Sequence, residues 1–511
     1  MMKINQLKAG AILSYISMSL GYIISILYTP IMLRLLGQSE YGLYNLVSSV
    51  VSYLGLLSFG FGSAYVRYYS RYKVEEDEEN IAKLNGMFLI VFSFIGLVSI
   101  FAGIALVKNT EMIFGNKLTS DEISTAKVLM GIMIFNMAIS FPASVFNSYI
   151  TANEQYIFQK IVQIIKTVIS PFVILPVLLM GYKSIGMVVV TTILTILAEI
   201  ANACFCFYKL NMKFSFSKFD FSLMKEMTVF SSYIFINMII DQINWNVDKF
   251  ILGRFSGTVS VAIYGLAAQL NSYYLSLSIA ISNVFVPRVN QMVAKNNDNT
   301  QLTILLTMVG RIQFILLSLI CSGFIFFGRP FIYIWAGSEY LEAYAIALLL
   351  IIPVTIPLIQ NLGIEIQRAK NMHQFRSCVY LIIAIANIFL SIPLAKTYGG
   401  IGAATGTAIS LIIGNIIIMN WFYHKRVGLD MIYFWKEIFN LIKALLPPIF
   451  TGTMMFIFVD LYHLGKFFIC GIVYVIVFLV SIWFLGMNQY EKDLIRKPFA
   501  KVIKKIAYSK R

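Results

Sequence analysis

FSSYIFINMIIDQINWNVDKFILGRFSGTVSVAIYGL, residues 230–266, is apolar enough to cross a bilayer, yet it carries Asn237, Asp241, Asn244 and Asp248. Steps of four, three and four stack these side chains on one helical face. An ionised aspartate near the bilayer centre costs about 2.5–3.5 kcal/mol even on the lenient insertion scale, and this segment carries two. The stripe is therefore predicted to face water or protein. The end of the segment has an earlier copy: RLLGQSEYGLYNL at 34–46 aligns with RFSGTVSVAIYGL at 254–266, pairing Arg34 with Arg254, Gly37 with Gly257, Tyr44 with Tyr264 and Leu46 with Leu266. The pattern is that of a duplicated membrane protein with a polar central face.

Composition agrees. Of 511 residues, 59% are hydrophobic and 13% charged, against about 45–50% and about 25% in soluble domains. Mean hydropathy is +0.79. In a soluble protein the net charge of +16 would suggest nucleic acid; here the basic residues sit in short loops and the tail, so nucleic acid is not an expected partner. The five cysteines (Cys204, Cys206, Cys321, Cys378, Cys470) are odd in number and scattered, which implies neither a disulfide framework nor a metal site. Three histidines (His373, His424, His463) are poor material for a metal centre or a catalytic triad, and no GxxxxGK[ST] loop is present. No cofactor, metal or catalytic residue is expected, and the chain is read as a non-enzyme. Lys3 and Lys8 precede an apolar run too long for a signal-peptide core, read as a retained first span.

Windows of about 20 apolar residues predict an all-α polytopic protein with 14 transmembrane helices, near 11–36, 42–69, 84–107, 125–150, 157–181, 184–207, 227–254, 259–287, 302–328, 341–367, 374–396, 399–423, 439–462 and 466–486. Loops with Arg71, Lys73 and Lys83, with Lys209, Lys213, Lys218 and Lys225, with Arg288 and Lys295, with Arg368, Lys370 and Arg376, and with Lys425, Arg426 and Lys436 share one side with Lys3 and Lys8. The other side is poorer in Lys and Arg. The rich side is expected to be cytoplasmic, with both termini inside. Ala152 with Phe158 recurs as Ala369 with Phe375, and Pro176 with Ile185-Gly186 as Pro393 with Ile401-Gly402. This divides the chain into six-helix bundles at 1–215 and 216–430, helices 13 and 14 at 431–488 and a tail at 489–511. Six helices per copy is even, so both copies share one orientation. In the tail, Phe499, Val502, Ile503 and Ile506 share one face while Lys497, Lys501, Lys504 and Lys505 lie mostly elsewhere, as in a basic helix resting on anionic lipid.

The fifth helix places Gln159, Gln163, Lys166 and Ser170 on one face. Lys166 is ten residues in, roughly 15 Å deep, either a cation in a central cavity receiving phosphate or a partner locked to Asp241 or Glu199. Asp241, Asp248 and Glu199 are candidates for a coupling Na+ or H+, or for internal ion pairs such as Asp248 with Lys249 or Arg254. Asn237, Asn244, Gln159 and Gln163 suit sugar hydroxyls, as do Gln269 and Asn283 of the eighth helix. Arg34 with Arg254, and Arg67 with Arg288, are placed symmetrically at helix ends, where they would ring both mouths of a cavity or simply snorkel to the interface. The first helix adds Ser14, Ser17, Gly21, Ser25 and Tyr28.

TPIMLRLLGQSEYGLYNL at 29–46, NWNVDKFILGRFSGTVSVAIYGLAAQL at 244–270 and PFIYIWAGSEYLEAY at 330–344 give the chain a resemblance to Wzx-type polysaccharide and O-antigen flippases of the multidrug/oligosaccharidyl-lipid/polysaccharide exporter superfamily. The resemblance implies two six-helix bundles in a V around a central cavity that opens alternately to each side. It implies a cargo of oligosaccharide on undecaprenyl pyrophosphate, moved from the inner to the outer leaflet of the bacterial cytoplasmic membrane, with polysaccharide-assembly proteins as further partners. Cavity cations would meet the pyrophosphate, a role suited to Lys166, Arg34 and Arg254. The related lipid II flippases use their last two helices as a lipid-tail groove. Two other readings compete: a multidrug antiporter of the same superfamily, which would want acidic cavity residues, and a membrane glycosyltransferase or polymerase, for which the outside gap at 108–124 is short.

Overall fold

The computed structural model describes residues 6–494 and 496, except 218, 296 and 297. Lys3, Lys218 and the tail residues Lys497, Phe499, Lys501, Val502, Ile503, Lys504, Lys505 and Ile506 lie outside the described residues. All regular structure among the described residues is helical. In chain order the helices are α1 (Gln6–Leu36), α2 (Gln38–Ser52), α3 (Phe61–Val74), α4 (Glu78–Lys108), α5 (Thr110–Phe114), α6 (Ser120–Ala152), α7 (Tyr156–Leu179), α8 (Lys183–Tyr208) and α9 (Phe221–Phe255). They continue as α10 (Thr258–Lys295), α11 (Asn299–Trp335), α12 (Glu342–Ile359), α13 (Asn361–Ala369), α14 (His373–Leu411), α15 (Met419–Phe422), α16 (Met431–Ile442), α17 (Leu446–Phe458) and α18 (Leu464–Ser481). Among the described residues, eleven stretches are long and apolar enough to cross a membrane, or twelve when α12 and α13, bent by 43° at Gln360, count as one broken span. The chain is a multi-pass membrane protein.

Helix ends follow local chemistry. Asp77 caps α4 by accepting the Asn80 N–H at 2.9 Å, and that bond holds its carboxyl below the ordinary aspartate range. Thr119 and Glu122 form a reciprocal capping box at the start of α6. The single residue Gly37, at φ 78°, separates α1 from α2, where a loop of several residues was expected. A residue without a Cβ enters this left-handed region at no steric cost.

Left-handed residues recur in register along the two halves of the sequence. Gly37 corresponds to Gly257 (φ 89°), Gly115 (φ 68°) to Gly337 (φ 106°), Glu154 (φ 57°) to Asn371 (φ 56°), Gly181 (φ 86°) to Gly399 (φ 57°), and Asn211 (φ 51°) to Gly428 (φ 81°). The separation runs from 220 residues for the first pair through 222 to 217 for the last, all close to the offset of the sequence repeat.

The chain divides into two compact units. Unit 1 comprises Met1–Gly265 and Ala384–Gly406. Its core sets Tyr65, Tyr68 and Tyr69 of α3 against Phe88 and Phe92 of α4 and Tyr149 of α6. The buried Tyr65 hydroxyl donates to Asn85 Oδ1 (2.5 Å), whose amide donates to the Lys213 carbonyl (2.8 Å). The segment after α8 is thereby pinned to α4: Ser215 N–H bonds the Ala82 carbonyl at 2.9 Å. Also within unit 1, α2 crosses the start of α10 so closely that a Cβ on Gly42 would lie 1.9 Å from the Thr258 carbonyl oxygen and 3.2 Å from Ala262 N. A Cβ on Gly265 would lie 3.1 Å from the Asn45 side chain. Gly42 and Ala262, like Asn45 and Gly265, are partners under the 220-residue offset. Equivalent positions thus touch one another, the arrangement a two-fold relation produces. Glu122 ties the same place together by accepting from Ser39 Oγ (2.5 Å) and Thr258 Oγ1 (2.7 Å).

Unit 2 comprises Leu266–Ile383 and Thr407–Arg511. At its centre is α11, against which α12, α13, α16, α17 and α18 pack. Gln313 of α11 donates to Ser278 Oγ (2.9 Å) and Ser282 Oγ (2.7 Å) of α10. Arg311 is enclosed by Glu491, Glu437 and the Gly486 carbonyl: Nε to Glu491 Oε1 is 2.7 Å, Nη2 to Oε2 is 3.0 Å and Nη1 to Glu437 Oε2 is 3.2 Å.

Not every glycine is a packing requirement. Gly131, within α6, has open space where a Cβ would go. Gly131→Ala is therefore expected to stabilise the protein by about 0.5–1 kcal/mol through helix propensity, read as a raised midpoint in thermal unfolding of the purified protein.

Candidate functional site

The polar stripes predicted for the first and fifth spans meet in unit 1. α1 carries Gly10, Ser14, Ser17, Gly21 and Ser25 at steps of four, three, four and four, and small residues on such a face let two membrane helices approach closely. A Cβ on Gly10 would stand 2.5 Å from Tyr156 Cβ, and one on Gly21 would stand 3.9 Å from Thr167 Cγ2. Further along, the helices part around a pocket of about 430 Å³ lined by Gly21, Ile24, Ser25, Tyr28, Gln163, Lys166, Thr167, Ser170 and Pro171. Pro171 has no N–H to donate to the Thr167 carbonyl one turn back, so the floor is richer in acceptors than an unbroken helix would be. The Tyr28 hydroxyl is buried and has no hydrogen-bond partner among the described residues. Around this polar floor, Ile23 and Leu27 of α1 and Ile165, Ile169 and Phe172 of α7 are exposed, so apolar side chains flank the slot.

Lys166 is half-buried here. Its Nζ donates to Thr195 Oγ1 of α8 at 2.8 Å. One turn further along α8, Glu199 accepts from Asn147 Nδ2 of α6 at 2.9 Å, and Asn202 hydrogen-bonds the same carboxylate. Asn202 Nδ2 also donates to Asn147 Oδ1 at 2.9 Å. Lys166 and Glu199 attract one another, yet each charge is held by neutral partners of its own.

Other candidates fall elsewhere. Gln159 donates to Thr151 Oγ1 at 3.4 Å at the start of α7, and Gln163 accepts from Lys160 at 3.2 Å. α9 is set against α2 and α3 rather than α7. On it Asn237 and Asp241 are exposed, Asn244 is half-buried, and Asp248, at 2% exposure, accepts the Tyr264 hydroxyl at 2.6 Å. The stripe is thus graded from exposed to buried rather than presented evenly. The neighbouring Gln242 accepts from Ser52 Oγ (3.1 Å) and Asn246 (2.6 Å).

The symmetric arginines have different surroundings. Arg34 is exposed at the end of α1, whereas Arg254 donates through Nη1 to the Met112 (2.6 Å) and Ile113 (2.7 Å) carbonyls. Arg67 sits over the Phe230 ring at 4.6 Å. In unit 2, Arg288 and Asn283 are exposed and Gln269 donates to the Tyr273 hydroxyl at 2.6 Å.

Sequence reasoning singled out Glu199 but not Thr195 and Asn202, four residues before and three after it on the same face, nor Asn147. Their helical spacing was a usable signal; threonine and asparagine in apolar helices simply carry less weight than charge. Arg311 was also missed, although it is the one charged residue in the apolar window 302–328.

The molecule is multi-pass, with polar and charged groups in its spans, and comparison supplies its family. Residues 7–293, more than half of the chain, match the model described as "Polysaccharide biosynthesis protein", and the chain belongs to this family. It is similar to the uncharacterized membrane protein EpsK of Bacillus subtilis (strain 168), with 23% identity over 501 residues that cover 94% of this chain and 96% of that protein. Among solved structures it resembles the lipid II flippase MurJ in an inward closed conformation (TM-score 0.72, 18% identity, 95% of this chain and 99% of that one). It also resembles an inward-facing multidrug resistance MATE family transporter of the MOP superfamily (TM-score 0.65, 12% identity, 83% and 99%).

Proposed function

We propose that this protein is a flippase of the bacterial cytoplasmic membrane that carries undecaprenyl-pyrophosphate-linked oligosaccharide from the inner to the outer leaflet by alternating access. The observation that carries the reading is Lys166, a cation in a polar slot with apolar flanks, within a span. A slot of this kind suits an amphiphile whose phosphate is hydrophilic and whose chain is not. The Lys166 ammonium would meet the pyrophosphate, the hydroxyls and amides of Ser25, Tyr28, Gln163 and Ser170 would complete its shell, and the isoprenoid would stay against the apolar flanks. Membership of the polysaccharide-biosynthesis family and a fold shared with a lipid flippase support the same conclusion.

We also read the chain as fourteen spans, six plus six plus two, in a V-shaped arrangement with both termini cytoplasmic. The helical stretch 374–427 is far longer than one crossing requires, and it breaks at Gly399 (φ 57°), the counterpart of Gly181 between α7 and α8. α10, with 38 residues, is long enough to supply another span despite its polar stripe. The likeness to a multidrug transporter supports a second reading, antiport of cationic drugs, but the charge in the groove has the wrong sign for such a cargo.

In a strain lacking the protein and any paralogue, carrier-linked oligosaccharide is expected to accumulate in the inner leaflet, and normal surface glycan there would refute the reading. In complementation, Lys166→Ala is expected to cut export by about tenfold or more, since a hydrogen bond to a charged group contributes about 1.5–3 kcal/mol. Lys166→Arg, which keeps the charge, should retain more. Undiminished export in both variants would remove Lys166 from the site.

A further inference from the structure

We propose that Glu199 sets how tightly the groove holds an anion, acting as an internal counter-charge that keeps Lys166 from binding phosphate too strongly to release it; this rests on the reading of Lys166 as the anion-binding cation. A lysine inside a membrane domain, shielded from water, is a strong attractor for phosphate. A carrier that must let its cargo go at the far leaflet needs binding that is favourable but not deep. The structure places a carboxylate where it weakens the attraction without blocking the site. Glu199 lies on α8, one turn from the Thr195 hydroxyl that receives the Lys166 ammonium. It is turned toward Asn147 and Asn202 and is absent from the pocket lining.

The two asparagine amides hold the carboxylate in place, and the Thr195 hydroxyl holds the ammonium away from it. The alternative, a direct buried ion pair, would neutralise Lys166 and leave little to attract a cargo. Lys160 of α7 donates to Gln163, and Glu40 of α2 faces Ser184 and Lys183 at the far end of α8. Glu199 is the carboxylate that acts on Lys166.

The test is a double-mutant cycle on the purified full-length protein, with undecaprenyl pyrophosphate as the probe and undecaprenol as the phosphate-free control. Glu199→Gln, which preserves shape and an acceptor for Asn147, is expected to bind the pyrophosphate about tenfold more tightly (~1.4 kcal/mol), through slower dissociation, with undecaprenol binding unchanged. The gain should vanish in Lys166→Met/Glu199→Gln. Inorganic pyrophosphate should compete if the phosphate alone is recognised and fail if the lipid is needed, and in both cases the Glu199 effect should persist.

No gain in Glu199→Gln, a gain that survives loss of Lys166, or an equal gain for undecaprenol would each overturn the proposal. If Lys166→Met alone leaves pyrophosphate binding intact, the anion site itself falls. If it abolishes binding while Glu199→Gln changes nothing, only the counter-charge falls. Should Glu199→Gln not accumulate as folded protein, Glu199→Met removes the same charge at similar volume and is read in the same way.

Discussion

Arg311→Ala is expected to be among the most damaging single substitutions in unit 2, lowering stability by about 3–5 kcal/mol. Its side chain is 5% exposed and that of Glu491 3%, so truncation leaves a buried carboxylate with the Asn488 N–H at 2.9 Å but no counter-charge. The guanidinium also satisfies two backbone carbonyls, those of Glu437 and Gly486, which would lose their donors as well. Measured by thermal unfolding of purified protein, or by yield of monodisperse material if the variant is too weak to purify, Arg311→Ala should fall well below wild type. Glu491→Gln should fall less, because it keeps an acceptor for the arginine. Replacing both partners by apolar residues, Arg311→Met with Glu491→Leu, should recover much of the loss, since the penalty comes from the orphaned charge rather than from the missing pair. A single Arg311→Ala that unfolds like wild type would show that this cluster is solvated.

Gly42→Ala should also destabilise, by a smaller amount and a different route. A methyl group at this position would meet the Thr258 carbonyl at 1.9 Å and its carbon at 2.6 Å, and backbone cannot rotate aside as a side chain can. Either α2 or the start of α10 must move, and overpacking of this kind typically costs about 1–3 kcal/mol, with the gain in helix propensity offsetting part of it. Movement there also pulls Thr258 from Glu122 and so weakens the tie to α6. Gly265→Ala meets only the end of the Asn45 side chain at 3.1 Å and should be much milder. The ordering Gly131→Ala above wild type, Gly265→Ala slightly below and Gly42→Ala lowest separates packing from propensity; equal midpoints for Gly42→Ala and Gly265→Ala would contradict the close crossing.

Hydropathy made the spans legible, because membrane helices must satisfy their own backbone and bury apolar faces in lipid. It misplaced a boundary where one glycine replaces a loop, as at Gly37, whereas the break it set between 396 and 399 falls at Gly399, whose non-helical backbone splits α14. The groove was half legible. Lys166, Gln163 and the small residues of α1 stood out as stripes at helical spacing, but that these two stripes face each other is a tertiary fact no period reveals. The α9 stripe shows the limit in the other direction: four polar residues in perfect register differ from exposed Asn237 to buried Asp248, because a 35-residue helix passes through several environments. Symmetry misled in one respect. Arg34 and Arg254 are equivalent in sequence, yet only Arg254 has the α5 carbonyls to grip.

The paired left-handed residues have an evolutionary reading. A residue forced to positive φ marks where a helix must stop, and such marks outlast side-chain identity: Glu154 and Asn371, or Asn211 and Gly428, share a backbone angle without sharing a residue type. Their changing separation works as a ruler. It lengthens by two residues between the first and second pairs and shortens by five between the second and third, which places the length differences between the two halves in particular stretches, chiefly the one between Gly115 and Glu154 and its counterpart. The later intervals differ in length by one residue between the halves, so the helix stops are set more strictly than the residues between them.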